Sequence, residues 1–558
     1  MYSKPLNPIP FSLFCCLVVL FTACDSPPSK DQKVVKSVRQ LNDAVAVQLN
    51  ELLQPKADSL NQPFYNTPHI SKFYAAREYK PLWSAKGKFN AAATSLKKFI
   101  DSEAKYYGLY VAHYHEQDLT KLMTALAKDS LSLNAEQWAK CEALLTDAAM
   151  QICKHVANGR LYVDTNYKYF DSSLHTTVFV PALTKLEAGT APAQVVSAFE
   201  PNFAEYRNLK DALRNVIDGK VKTYTHVNFP AKDSLSLIRS VISRLQQEGF
   251  AAGLKDVPDS FAVADAIKQW QKQHGEEAQG LLNKDLIASL NMQGNGNFDQ
   301  AALSMDKLRG TKIKHDGNYV LVNIPSYYLQ AYKNNEVAVE SKVAVGKVAS
   351  KTPTMESEIS DVVVMPMWFV PPSILKIPGW LDRHRNNPNF VVRGKTAMQK
   401  SGPGNALGNM KFNFKSGDAI YLHDTNEKWA FGSSKRAVSH GCVRVQQYAK
   451  LAEFIASVSP VYEKRYEKVM ASYTVDSLGD SVKKFKYVVK DSVTFTGDSI
   501  FVGMLKRKAH REITVGKKVP IYIKYFTCVG RNGSLVTYPD VYGYDQAMIA
   551  KYLKKGIS

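Results

Sequence analysis

At 558 residues the chain exceeds what one ordinary hydrophobic core organises, so several domains are expected. Apolar residues make up 45% and charged residues 22%, a balance that excludes a disordered chain and supports large cores. Lys and Arg outnumber Asp and Glu by 72 to 51, and the resulting charge of +21 attracts polyanions without choosing among them. That charge is spread along the chain, and no zinc-finger or RNP pattern accompanies it, which argues against nucleic acid as a partner.

The N-terminus carries Lys4 and then the apolar stretch Phe11-Ser-Leu-Phe-Cys-Cys-Leu-Val-Val-Leu-Phe21, too short to span a bilayer comfortably and typical of a secretory signal. Thr22-Ala23-Cys24 resembles a bacterial lipobox, with Phe21 standing where Leu is usual. Residues 1–24 are therefore expected to be a lipoprotein signal peptide and Cys24 the lipidated first residue of the mature chain. An ordinary cleaved signal or a membrane anchor is the alternative, and export follows from either.

A polar linker, Asp25-Ser-Pro-Pro-Ser-Lys-Asp-Gln32, opens a segment over 25–232 that is expected to be a helical scaffold. Ala91-Ala-Ala-Thr-Ser-Leu-Lys-Lys-Phe-Ile100 is rich in helix formers, and Leu144, Leu145, Ala148, Ala149, Ile152 and Val156 keep helical spacing. Cys141 and Cys153 lie on that second pattern, about 18 Å apart along an unbroken helix and out of disulfide reach. With Cys442 and Cys528 they do not look like a disulfide framework, so a free thiol is expected.

Over 233–292 three helical patterns follow one another: Leu237/Ile238, Val241/Ile242 and Leu245; Val263, Ile267 and Trp270; Leu282, Leu286 and Leu290. The order, with Ala266-Ile-Lys-Gln-Trp-Gln-Lys-Gln-His-Gly275 followed by Gly280-Leu-Leu-Asn, resembles the three-helix peptidoglycan-binding module of bacterial wall hydrolases. A structural bundle without a ligand is the plainer alternative.

Near Asn318 the period changes to that of strands. Tyr319-Val-Leu-Val-Asn-Ile324 precedes a hairpin-like pair, Tyr327 to Tyr332 and Val337 to Val345, joined across Asn334-Asn335. Extended runs follow at Asp361 to Met365 and Ala419 to His423, then an amphipathic helix with Leu451, Phe454, Ile455 and Val458. The stretch 377–402 lacks a period and is expected to be a lid inserted between strands. A catalytic domain over 316–464 and a strand-rich extension over 465–558 that completes it, with Val519 to Thr527 as a strand, are the expected remainder.

The chemistry concentrates in Ala419-Ile-Tyr-Leu-His-Asp-Thr425 and Val438-Ser-His-Gly-Cys-Val-Arg-Val445. Amide acyl transfer needs a nucleophile, a base that takes its proton and returns one to the leaving amine, and donors for the oxyanion. Cys442 supplies the nucleophile; the helix expected at 446–458 and Arg444 are expected to favour its thiolate. Gly441 permits close backbone approach, so the Gly441 and Val443 amides are expected oxyanion donors. His423 at a strand end is the expected base, with Tyr421 on the same strand face. His440, two residues from Cys442, is the competing base, better placed to orient the loop or contact substrate. The alternatives are a small buried Cys with a structural His, or zinc held by His423, His440 and Cys442, which lacks the remaining ligands of a familiar site.

Ser439-His-Gly-Cys-Val-Arg444, preceded by His423, closely resembles the L,D-transpeptidase signature. Tyr319-Val-Leu-Val-Asn-Ile-Pro325, Val345-Gly346, Thr352-Pro-Thr354, Met367-Trp-Phe-Val-Pro-Pro-Ser-Ile374 and Gly402-Pro-Gly-Asn-Ala-Leu-Gly408 resemble the large modular Gram-negative branch. So do Phe73-Tyr-Ala-Ala-Arg77, Pro81-Leu-Trp83 and Pro539-Asp-Val-Tyr-Gly543; about 465–500 matches poorly and gains no role. The resemblance implies a multidomain α+β chain with a helical scaffold, a small three-helix peptidoglycan-binding bundle and a β-sandwich-like catalytic domain with an inserted lid. It implies acylation of the matching cysteine by a tetrapeptide stem, loss of the terminal D-alanine, and transfer to a diamino acid side chain on another stem, cross-linking third residues. The matching histidine, oriented by a backbone carbonyl, is then the base, and the matching arginine shapes the site. Some relatives have Ser in place of His440.

No cofactor or metal is implied. The expected partners are peptidoglycan stem peptides and glycan, and a membrane reached through the lipid anchor, in the periplasm of a Gram-negative envelope; a regulatory partner is not specified. The rivals are an L,D-carboxypeptidase using the same acyl-enzyme, a wall-binding lipoprotein whose catalytic domain has decayed, and a sortase-like ligase, which the Ser-His-Gly-Cys spacing fits poorly.

Overall fold

The computed structural model describes residues 37–54, 64–128, 133–161, 179–220, 224, 227–229, 231, 233–254, 259–274, 278–292, 298–311, 315–416, 420–475, 481–495, 505 and 510–553. The apolar leader and Cys24 lie outside them, and among the described residues no helix is long and apolar enough to cross a membrane. Helical and β content are mixed, as expected of a multidomain α+β chain, and the chain divides into two compact units.

The first unit takes residues up to Asn90 together with Thr120–Leu144. It contains α1 (Val38–Leu53), α2 (Thr67–Ala76) and a tight hairpin of β1 (Ser84–Ala85) and β2 (Lys88–Phe89), whose turn places Lys86 and Gly87 at positive φ. Glu142 organises it: the buried carboxylate accepts the amides of Leu82 (2.7 Å) and Trp83 (3.0 Å) and the hydroxyls of Ser84 (2.7 Å) and Tyr74 (3.0 Å). The Pro81-Leu-Trp83 run and Tyr74 thus meet on one acid.

The second unit holds the rest: α3 (Ala91–Lys98), α6 (Phe179–Glu187), α7 (Pro192–Ser197) and α8 (Ala204–Ile217), while α4 (Glu116–Leu126) and α5 (Ala135–Asn158) contribute residues to both units. Cys141 and Cys153 are buried on the unbroken α5, and among the described residues neither they nor Cys442 and Cys528 form a disulfide. Next come α9 (Ser234–Gln247), α10 (Ser260–Gln273) and α11 (Lys284–Met292), which share a core of Val241, Ile242, Leu245, Ile267, Trp270 and Leu290. Asp233 caps α9 through a reciprocal capping box with Ser236, satisfying amides that the first turn leaves open. Then α12 (Phe298–Arg309) leads into the strands.

The strands are β3 (Tyr319–Asn323), β4 (Tyr328–Lys333), β5 (Glu336–Gly346), β6 (Met355–Val364), β7 (Trp368–Phe369), β8 (Phe390–Arg393), β9 (Thr396–Gln399), β10 (Met410–Phe414), β11 (Leu422–His423), β12 (Ala437–Ser439), β13 (Val443–Val445), β14 (Val461–Val475), β15 (Ser481–Phe495), β16 (Arg511–Lys524), β17 (Cys528–Arg531) and β18 (Ser534–Thr537). The β4–β5 turn puts Asn334 and Asn335 at φ 52° and 67°, the conformation a two-residue hairpin demands and Asn tolerates. Helix α15 (Tyr448–Val458) covers one opening with Leu451, Phe454 and Ile455.

The expected sandwich is corrected by the hydrogen-bond ladder, which runs β16-β3-β4-β5-β13-β11-β10-β6 and returns to β16, closing the sheet on itself. A register shift between Thr514 and Val519 lets β16 bend and pair with β6 along both halves while its C-terminal end pairs in parallel with β3. Closure removes edge strands that a sandwich would leave. Strand β3 is buried on both faces: Val320 and Val322 enter the barrel core, while Tyr319 and Leu321 pack with Leu209 and Leu213 of α8 and Met305 of α12.

The stretch 377–402 is ordered, with α14 (Trp380–Arg385), β8 and β9, and its unit begins earlier, at β7 and α13 (Pro372–Leu375). Trp380, Val370 and Ala397 form its own small core. Strands β14 and β15 pair as a long antiparallel ribbon, and the first residues of β14, Val461 to Glu463, also pair with β16 of the barrel.

Candidate active site

Cys442 sits in a turn between two short strands that both lean on β5: Ser439 of β12 pairs with Gly346, and Arg444 of β13 with Ala344. The turn requires Gly441, whose φ is +118° and whose missing Cβ would come within 3.2 Å of Ile420 Cδ1. Ser439 Oγ bridges the turn, accepting from the Gly441 amide at 3.1 Å and donating to the Cys442 carbonyl at 2.6 Å. From behind, Thr352 Oγ1 donates to the Gly441 carbonyl at 2.7 Å and accepts from the Gly346 amide at 2.8 Å. Tyr542 closes the arrangement, its hydroxyl donating to the Gly346 carbonyl at 2.6 Å and accepting from the Thr352 amide at 3.1 Å. The Thr352-Pro-Thr354 and Pro539–Gly543 motifs therefore act together as a brace behind the thiol.

His423 lies on β11, parallel to β13 with His423 opposite Arg444, and antiparallel to β10 with His423 opposite Lys411. Its Nδ1 bonds the Asp424 carbonyl, and a carbonyl only accepts, so Nδ1 carries the proton and Nε2 is left as the basic nitrogen. Asp424 is buried, with its carboxylate on the Asn409 amide (2.9 Å) and the Lys428 ammonium. A Cβ on Gly408 would come within 2.4 Å of that carboxylate, which is why the Gly402–Gly408 run ends in glycine at a φ of +61°. The Tyr421 ring stands edge-on to the His423 ring, centroids 5.6 Å apart, and the Tyr421 hydroxyl and backbone both reach the Cys442 thiol. Burial raises the Tyr421 phenol, and Trp368 of β7 is near enough to its hydroxyl to oppose that shift.

Burial dominates the electrostatics. It pushes the His423 imidazole down to about 3, helped by the Arg444 and Lys411 cations and opposed by the Asp424 carbonyl. Burial also raises the Cys442 thiol, against the lowering contacts from Tyr421, Lys411 and Arg444. Both shifts favour the uncharged forms, the neutral thiol and the neutral imidazole.

Two expectations are corrected. The Gly441 and Val443 amides already have partners, Ser439 Oγ and the Tyr421 carbonyl (3.2 Å), so neither stands open as an oxyanion donor; both serve to shape the turn. Helix α15 begins at Tyr448, with β13 between it and Cys442, and a helix-terminus field fades within about a turn. The cations near the thiol are instead Arg444, itself paired with Glu427 at 2.5 Å, and Lys411. Lys411 escaped the sequence because it reaches the site only through the β10–β11 pairing. His440 is exposed, whereas His423 is 5% exposed, and among the described residues no group of His, Cys, Asp and Glu gathers as a metal-ligand set.

Residues 317–462 match the family described as the L,D-transpeptidase catalytic domain. Over this stretch the chain is similar to L,D-transpeptidase catalytic domains. Residues 68–213 match a second family, described as the scaffold domain. A curated Haemophilus influenzae protein named "Putative L,D-transpeptidase" is 30% identical over 270 residues, which cover 44% of this chain and 48% of that protein, so the match spans about half of the relative. A solved structure described as "Structure of the Ldtfm-avibactam carbamoyl enzyme" is 15% identical over 26% of this chain and 55% of its own, with a TM-score of 0.16. The L,D-transpeptidase match ends at Tyr462, before β16, yet β16 is a wall of the same barrel. The β14–β15 ribbon thus lies between the matched part of the domain and the strand that closes it.

Proposed function

We propose that the chain cross-links peptidoglycan as an L,D-transpeptidase, with Cys442 as nucleophile and His423 as general base. The observation that carries this is the buried imidazole fixed by the Asp424 carbonyl, with its Nε2 left basic, on a strand laid beside the turn that holds Cys442. As His423 Nε2 takes the thiol proton, the sulfur attacks the carbonyl after the third residue of a donor stem. The C–N bond breaks, the departing D-alanine amine receives that proton, and a thioester remains. A side-chain amine of a second stem then attacks the thioester, gives a proton to His423, and the new amide forms as sulfur leaves and recovers the proton. Water in place of the amine gives the L,D-carboxypeptidase outcome. The unit built on β7, α13, α14, β8 and β9 is read as a lid over this cleft, since its Trp368 lies near the Tyr421 hydroxyl.

Muropeptide mass spectrometry tests the proposal. Wild type should convert purified tetrapeptide muropeptides into dimers joined through third residues, and Cys442→Ser should form neither thioester nor dimer while keeping its melting temperature. Dimer formation by the Ser variant would remove Cys442 from the chemistry. The bundle of α9–α11 is read as a peptidoglycan-binding module, and Cys24 as a lipid anchor in the periplasm. Cys24→Ala should then leave the membrane fraction in high salt or remain unprocessed; a cleaved variant that stays on the membrane would reject the anchor.

A further inference from the structure

Lys411 stands directly opposite His423 in the β10–β11 pair, so the two side chains share one face of the barrel wall. Its ammonium lies 4.1 Å from the centroid of the Tyr421 ring, whose hydroxyl reaches the Cys442 sulfur. The ammonium and the thiol act on each other electrostatically, and Glu512 is the other charge that acts on Lys411. Neighbouring cations are spent: Arg444 on Glu427 at 2.5 Å, Lys428 on Asp424, and Arg436 on the Tyr327 (3.0 Å) and Val343 (3.2 Å) carbonyls. Among the described residues no carboxylate lies within ion-pair distance of Lys411, although the side chain is half-buried and burial lowers its pKa. A cation drawn out of water without a partner is costly, and such a cost persists where an incoming anion relieves it.

We propose that Lys411 is the specificity residue that binds the terminal carboxylate of the donor stem, placing the scissile carbonyl over Cys442. This rests on the donor proposed above, whose carboxylate lies one residue past the broken bond and therefore close to the nucleophile. Tyr421 steers the ammonium by holding it over its ring face, and the carboxylate completes its charge-assisted hydrogen bonds. Stems that lack the carboxylate lose this contact and react poorly.

The test measures kcat/KM of thioester formation on the full chain, by mass spectrometry, with a tetrapeptide ending in a free carboxylate and with its C-terminal carboxamide. Wild type should prefer the acid by about 10- to 100-fold. Lys411→Met keeps the apolar stem over Tyr421 and should bring the two rates together, mainly through a raised KM for the acid. Lys411→Arg should restore part of the preference. Equal use of acid and amide by wild type overturns the proposal. So does an equal loss on both peptides in Lys411→Met with a shifted pH profile, which would make Lys411 a residue that tunes the thiol alone. A carbapenem, which carries a carboxylate near its reacting carbonyl, and its methyl ester provide the same comparison without a stem. If neither peptide acylates wild type but the carbapenem pair behaves as expected, the proposed donor fails and the carboxylate site stands; if the ester reacts as fast as the acid, the site fails.

Discussion

Burial draws His423 and Cys442 toward neutrality, the imidazole by shedding its proton and the thiol by keeping it. His423, ordinarily near 6.5, is held to about 3 by desolvation and by Arg444 and Lys411, so its basic form is present across the whole range above that value. Two-dimensional NMR of the ring nitrogens should find His423 neutral at pH 5, protonating only as pH falls toward 3; a midpoint near 6.5 would show that the imidazole is solvated and the site open. The linkage follows the same sign: the depressed pKa contributes stability in full above about 6.5, and that contribution is lost as pH falls through the folded value. In single-turnover acylation His423→Ala should cost about 100-fold or more and His440→Ala much less, because only the former removes a base. The reverse ranking would exchange their roles. Cys442, His423 and Tyr421 were legible because they sit in two short motifs with a fixed order of residue types. Lys411 was not, since twelve positions of chain and an unread strand pairing separate it from His423, and the partners of the Gly441 and Val443 amides depend on three-dimensional geometry that no spacing encodes.

Between elements, the turn that holds Cys442 depends on segments far away in sequence. Thr352 has a single hydroxyl that both accepts from Gly346 and donates to Gly441, and it is fully buried. Thr352→Val keeps the shape and removes both bonds, leaving a buried amide and a buried carbonyl unpaired at a cost of about 1–3 kcal/mol each. Acylation by a carbapenem should fall by about tenfold or more with the thiol still present by titration; an unchanged rate would show that the β12–β13 turn holds its shape without the brace. The hairpin at Asn334-Asn335 and the helix with Leu451, Phe454 and Ile455 were readable because turn chemistry and helical period are local signals. Strands β8 and β9 were not, because runs as short as Phe390–Arg393 and Thr396–Gln399 are too brief to display alternation, and their core residues Trp380, Val370 and Ala397 come from separate stretches.

At the scale of the whole second unit, the barrel closes only when β16, far down the chain, pairs with β6 and β3. The sequence marked Val519 to Thr527 as a strand, but a pattern of alternation carries no record of which strands become neighbours, so a closed ring and a sandwich read alike. The outer face of β3 and β16 packs on α8 and α12, and α12 is in turn fixed by a buried charge cluster. Asp306 accepts from Arg160 Nε at 2.6 Å and from Arg309 Nη1 at 3.0 Å, and both ion pairs are almost wholly out of solvent. Arg309 also reaches the Tyr206 hydroxyl (2.6 Å) and the Tyr107 carbonyl (2.7 Å), and Arg160 the Gly108 carbonyl (2.9 Å), so one carboxylate lets two guanidinium groups tie helices and turns together. Asp306→Ala leaves both cations buried without their counter-ion, which typically costs about 3–5 kcal/mol. The exposed pair Lys517–Asp316, at 2.5 Å, is the internal control: Asp316→Ala removes an ion pair that water and salt already screen, worth about 1 kcal/mol or less. Urea unfolding should therefore show a large loss of midpoint for Asp306→Ala and almost none for Asp316→Ala. Equal, small losses would mean that Arg160 and Arg309 find water or carbonyl partners when the acid is gone, and that apolar packing on β3 alone seats α12 against the barrel.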